Sequence, residues 1–162
     1  MIKYTVTNDG AAWLAKVISG LYTIVPNVMY IVYSNGDRTH MDISKDITED
    51  SFKGLSGDTW YIRMDTGVIP SIKSTENGVS TVFSCIVDAS KIAPSDGPAP
   101  DILTGSTNII AVALGYTDGT GKDTIIAVSN MIKDDAVNPV RWLDNVDIAV
   151  SVPIEFTAAE VL

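Results

Sequence analysis

The sequence predicts a mainly β fold, an antiparallel β-sandwich-like domain with one N-terminal α-helix. Three observations carry that expectation. A single stretch near the N-terminus is rich in helix formers and framed by helix-capping residues. From Tyr22 onward the chain changes to short β-branched and aromatic runs, separated by Gly, Asn, Asp and Pro. The last of these runs, through Val146, Ile148, Val150, Val152, Ile154 and Phe156, alternates apolar and polar residues and reads as a half-buried strand.

Taken in order, the helix comes first. Thr7 or Asn8 caps it, Ala11 to Ile18 supply formers and an apolar face, and Gly20 ends it in a conformation open to glycine. Tyr22 to Val25 and Val28 to Tyr33 follow as strands interrupted by Pro26, and Ser34-Asn35-Gly36-Asp37 turns the chain into a hairpin strand from Arg38 to Ile43. The polar, acidic stretch from Ser44 to Gly57 fits either a short helix or an ordered loop. Strands are expected over Thr59 to Met64, Val68 to Ser74 and Val79 to Asp88, with Asn77-Gly78 at the centre of the last turn. Ala93 to Pro100, with three prolines and a glycine, is a surface loop.

Asn108 to Tyr116 and Thr124 to Ser129 are almost continuously apolar around the loop Thr117 to Asp123. Such strands are buried on both faces, between stacked layers or at a subunit contact. A turn is expected near Asn138-Pro139, ahead of the closing strand.

The length of 162 residues fits one domain, residues 1–162, able to bury a core without disulfides or metal. Charged residues make up 19% of the chain, below the roughly 25% of an average soluble domain. With a mean hydropathy of +0.20 and no long apolar stretch, that shortage implies apolar surface covered by neighbouring subunits rather than by lipid. A homo-oligomer is the expectation. The formal charge of −9, without a run of Lys and Arg, disfavours nucleic acid as a partner. The N-terminus has no apolar secretory region, so synthesis in a cytoplasm is expected, and no membrane association.

Candidate chemistry is sparse. His40 is the only histidine and Cys85 the only cysteine, which leaves no zinc ligand set, no internal disulfide and a nucleophile pair outside any motif. Cys85 reads as a buried strand residue. Asp65-Thr66-Gly67 is shared with aspartic proteases, but a turn between strands explains it without catalysis. Asp118-Gly119-Thr120-Gly121-Lys122-Asp123 lacks the carboxylate spacing of a calcium loop and reads as a hairpin loop. Trp13, Trp60, Trp142, Tyr30, Tyr33, Tyr61 and Tyr116 suit either a sugar-stacking surface or core packing, and their scatter favours packing. No catalytic, cofactor-binding or metal site is expected, and not an enzyme.

The order of motifs resembles the amino-terminal, virion-attaching domain of phage tail-collar and tail-fibre proteins. Thr7-Asn8-Asp9-Gly10 followed by Leu14-Ala15-Lys16 matches the family's opening helix. Ile69-Pro70-Ser71-Ile72-Lys73 and Asn77-Gly78-Val79-Ser80-Thr81-Val82 resemble its middle hairpin. Val112-Ala113-Leu114-Gly115-Tyr116, Asp118-Gly119 and Ile125-Ile126-Ala127-Val128 resemble the next, and Ile148 to Phe156 the closing strand. The similarity spans nearly the whole chain, but the family's aromatic-Arg-Glu-Ile-Gly sequence is replaced here by Ile109 to Gly115. The resemblance implies a virion structural protein of the tail, baseplate or neck, fibre-like or a fibre-anchoring adaptor, with other virion proteins as partners. The alternative expectation is a capsid-decorating or host-glycan-binding module.

Overall fold

The computed structural model describes residues 4–35, 41–55, 59–76, 78–87, 107–133, 138–141 and 147–157. Along the chain these form β1 (Tyr4–Val6), α1 (Asn8–Ile18), β2 (Val28–Asn35), α2 (Glu49–Lys53), β3 (Thr59–Met64), β4 (Ile69–Thr75), β5 (Gly78–Val87), β6 (Thr107–Thr117), β7 (Asp123–Asn130), β8 (Ile132–Lys133), β9 (Asn138–Arg141) and β10 (Ile148–Thr157). The fold is mainly β, with two antiparallel sheets and a helix near the N-terminus, as the sequence predicts. The larger sheet runs β1-β7-β6-β2-β3, with β9 also on β6 and β8 on β9. The smaller runs β10-β5-β4.

The large sheet is covered on both faces, which accounts for the near-continuous apolar runs in β2, β6 and β7. On one face Met29, Ile31, Tyr33, Val112 and Leu114 pack with Phe83, Cys85, Val87, Val150 and Val152 of the small sheet. On the other, Val28, Tyr30, Val32, Ala113 and Ile125 meet Met41, Ile47 and Phe52 from the segment that carries α2. Of the two origins of double burial open to the sequence, stacking within one chain explains these strands.

Two bulges adjust this sheet. The register jumps from Val32↔Ala111 to Tyr33↔Ile109, leaving Ile110 extra in β6, and from Leu114↔Ala127 to Gly115↔Ile125, leaving Ile126 extra in β7. A bulged residue turns a backbone group out of the ladder, where another segment can bond to it. The Ile110 carbonyl accepts the Met131 N–H at 3.1 Å, and the Ile126 carbonyl accepts the Thr7 N–H at 3.0 Å.

That second bulge seats α1. Thr7 caps the helix by accepting the Gly10 N–H at 2.9 Å, and its hydroxyl donates to the Ile125 carbonyl at 2.5 Å. Gly10 then lies so close to β7 that a Cβ there would come within 2.1 Å of the Ile126 carbonyl oxygen. Here glycine is required by close approach, not by its dihedral freedom.

Several expectations are corrected. Tyr22 to Val25 forms no strand, because Pro26 stands between it and β2 and Trp13 takes the Ile24 carbonyl with its indole N–H at 3.0 Å. Met41 to Ile43 is not a hairpin partner of β2, whose edges are taken by β3 and β6. Asn138-Pro139 opens β9 instead of a turn, pairing through Val140 and Arg141 with the start of β6. The β4–β5 turn closes at Thr75↔Gly78, so Gly78 is the first residue of β5 and not a central turn residue. The stretch left open between helix and loop contains α2. The Pro-rich loop at residues 93–100 and the residues Gly36 to His40 lie outside those described.

Candidate functional site

The residues weighed for chemistry fall in separate places. Cys85 is buried on the inner face of β5, and burial pushes its thiol up to about 11, which holds it as the unreactive protonated form. Asp65 is exposed in the turn from β3 to β4, where Gly67 has φ 76° and Asp65 accepts a hydrogen bond from Arg63 at 3.0 Å. Asp118 accepts the Thr120 hydroxyl at 2.6 Å and N–H at 3.0 Å, bonds that lower its carboxyl and close the loop. Positive φ at Gly119 and Gly121 completes that turn. His40 and Trp142 lie outside the described residues.

The aromatic side chains are packed. Tyr33 and Trp60 stack with centroids 6.0 Å apart, and Tyr30 stacks on Phe52 at 5.0 Å and leans on Tyr61 at 5.5 Å. Tyr30, Tyr33, Tyr61 and Tyr116 are all buried. These rings form parts of both cores.

One polar cluster was not anticipated from the sequence. Arg63 on β3 grips the buried Asp123 at the start of β7, Nε donating to Oδ2 at 2.6 Å and Nη2 to Oδ1 at 3.0 Å. The Tyr30 hydroxyl donates to the same carboxylate. Glu49 of α2 accepts the Asp123 N–H at 3.2 Å and pairs with Lys53 at 3.0 Å. Burial raises the Asp123 carboxyl, but hydrogen bonds from Arg63 and Tyr30 outweigh it and hold it below the usual carboxylate range. The same burial and neighbours push the Tyr30 phenol far up. Each acid is matched to a donor, so the cluster is a clamp that holds α2 against the sheet.

Among the described residues, a groove of about 660 Å³ opens between α1 and the inner face of the small sheet. Trp13, Leu14 and Val17 form one wall, Val25 and Pro26 its end, and Pro70, Ile72 and Thr81 the other wall. No lining residue is ionisable. Register explains its openness: Ile72 stands opposite Thr81, and Thr81 opposite Ile154, in a row on the core-facing side of the small sheet. Yet Ile72 is 77% exposed, like the rest of β4, whose residues are all exposed. From sequence, α1's apolar face and β4 read as ordinary elements. The one available signal was the pair of aliphatics Ile69 and Ile72 in a strand with Pro70.

No protein-family model, curated protein or solved structure matches this chain.

Proposed function

We propose that the chain is a structural protein of a bacteriophage virion, in the tail, baseplate or neck, acting as a fibre-like or fibre-anchoring adaptor. The observation that supports this most is the order of elements. The resemblance to tail-collar and tail-fibre attachment domains rests on a capped opening helix, a middle hairpin, an apolar hairpin and a closing strand. Here α1, β4–β5, β6–β7 and β10 carry those motifs in that order. The doubly covered sheet suits a part that bears load, and the Arg63–Asp123 cluster ties α2 to it. On this reading the protein is non-catalytic, works in the virion beside other virion proteins, and assembles through apolar contacts of its β-rich surface.

The test is to purify virions from a strain producing this chain, quantify its peptides by mass spectrometry, and locate it by immunogold labelling. A fixed copy number per particle, with gold on the tail or neck, is the expected result. Its absence from purified particles, with all of the protein free in the lysate, would overturn the proposal.

A further inference from the structure

We propose that Pro70 and Pro153 close the two outer edges of the small sheet to strand addition, so that the sheet ends at its own three strands. Among the described residues, β4 and β10 are each paired on one side only, by β5 between them. Such an edge offers a row of N–H and C=O groups to any other extended chain. The hazard is large here. β4 is exposed along its whole length, with Ile69 and Ile72 at 65% and 77%, and β5 carries no charged side chain from Gly78 to Val87.

Register shows where the prolines point. In an antiparallel sheet, a residue of the central strand directs both its backbone groups to one neighbour, and the next residue directs its own to the other. Phe83 stands between Pro70 and Val152, and Val82 between Ser71 and Pro153. The Ser71 hydroxyl donates to the Val82 carbonyl at 3.4 Å, so that carbonyl faces β4. Val82 therefore bonds with Ser71, and Phe83 with Val152. Both prolines fall where no bond to β5 is exchanged, and neither ladder loses a bond to the missing N–H. The opposite phase would remove a bond from each ladder, yet both run without a register shift.

The same phase aims residues Pro70, Ile72 and Ser74 at the open side of β4. An incoming strand meets donors at Ile72 and Ser74, and a proline ring where the third should be. On β10 the outward amides are interrupted at Pro153, near the middle of the strand. Lys73 adds a charge to β4, a second common guard of an edge. The prolines thus leave the internal ladders whole and take one donor from each outer edge. Contacts made by this sheet are left to side chains.

The experiment is sedimentation velocity of the intact chain in about 0.15 M salt, where repulsion between the acidic copies is screened beyond about 8 Å. Pro70→Thr, Pro153→Thr and the double variant are run beside the wild type, because threonine restores the N–H and favours strands. Ser71→Thr is the control, since its N–H is already turned toward β5. Circular dichroism checks the fold, and amide exchange by NMR reads the edges. The expected result is association of the double variant at concentrations at least tenfold below any shown by the wild type or Ser71→Thr. The outward amides of an opened edge should be protected in the associated form, Ile72 and Ser74 on β4 or Ala149 and Ser151 on β10. Either single variant carries the test if the other fails to fold. Folded proline variants that match the wild type, or that associate while all these amides exchange freely, would overturn the proposal.

Discussion

Arg63 and Asp123, 60 residues apart, meet side by side, with two guanidinium N–H groups on the two carboxylate oxygens at 2.6 and 3.0 Å. The pair joins β3, at one edge of the large sheet, to the start of β7, with β2 and β6 between the two strands. Tyr30 on β2 lies between them in the sheet and donates to the same carboxylate. Asp123 is buried while Arg63 is partly exposed, so the carboxylate depends on its partners more than they depend on it.

Replacing Asp123 with Ala should therefore be costly. It leaves the buried Tyr30 hydroxyl only its longer 3.5 Å contact with Glu49 and removes the acceptor of two Arg63 N–H groups. Loss of one partner from a buried pair typically costs about 3 kcal/mol or more, to be read from the urea midpoint. Arg63→Lys, which keeps charge but loses the two-pronged geometry, should cost less. Equal stability of Asp123→Ala and wild type would show that the clamp contributes nothing.

The same carboxylate sets an acid limit. Its folded value lies below the unfolded value of about 4, so its contribution is complete above that unfolded value and fades as pH falls through the folded one. Stability followed from neutral pH into strong acid should decline in this window, and Asp123→Asn should flatten the decline. Parallel curves for the two proteins would assign the acid sensitivity to other groups.

Gly10→Ala tests the seat of α1. The added methyl would meet the Ile126 backbone oxygen at 2.1 Å, and backbone at a bulge has little room to withdraw. Overpacking of this kind costs about 1 to 3 kcal/mol. The variant should lose stability by that order, whereas Gly119→Ala, with nothing near its Cβ, should suffer only from its positive φ. A neutral Gly10→Ala would mean that the helix sits further from β7 than described.

Cys85 should resist thiol reagents in the native protein and react fully once denaturant is added, because its sulfur is buried and its thiol stays protonated up to about 11. A disulfide-exchange assay with and without guanidinium reads this directly. Rapid native labelling would contradict the inward placement of β5's alternating residues.

Much of the fold was legible because its signals are local. The helix could be read from its cap at Thr7 and the closing strand from strict alternation, in which Val150 and Val152 are indeed buried. Errors arose where tertiary pairing overrides local texture. Asn138-Pro139 reads as a turn by composition, yet pairing with Lys133 and Ile132 of β8 makes it part of a strand. Tyr22 to Val25 reads as a strand by propensity, yet Thr23 to Val25 line the groove and Tyr22 packs edge-on against Tyr116. The Arg63–Asp123 clamp could not be foreseen, since nothing in a sequence links residues that meet only through sheet order. Nor could the groove, because its walls come from α1 and the small sheet, which meet only through tertiary packing.

The most direct test of the account is the mass of the purified protein by light scattering, with negative-stain imaging of the same peak. Assembly through apolar β-rich contacts predicts a defined multiple of the chain mass and particles of uniform, symmetric outline. A single species of one chain mass at high concentration would contradict it.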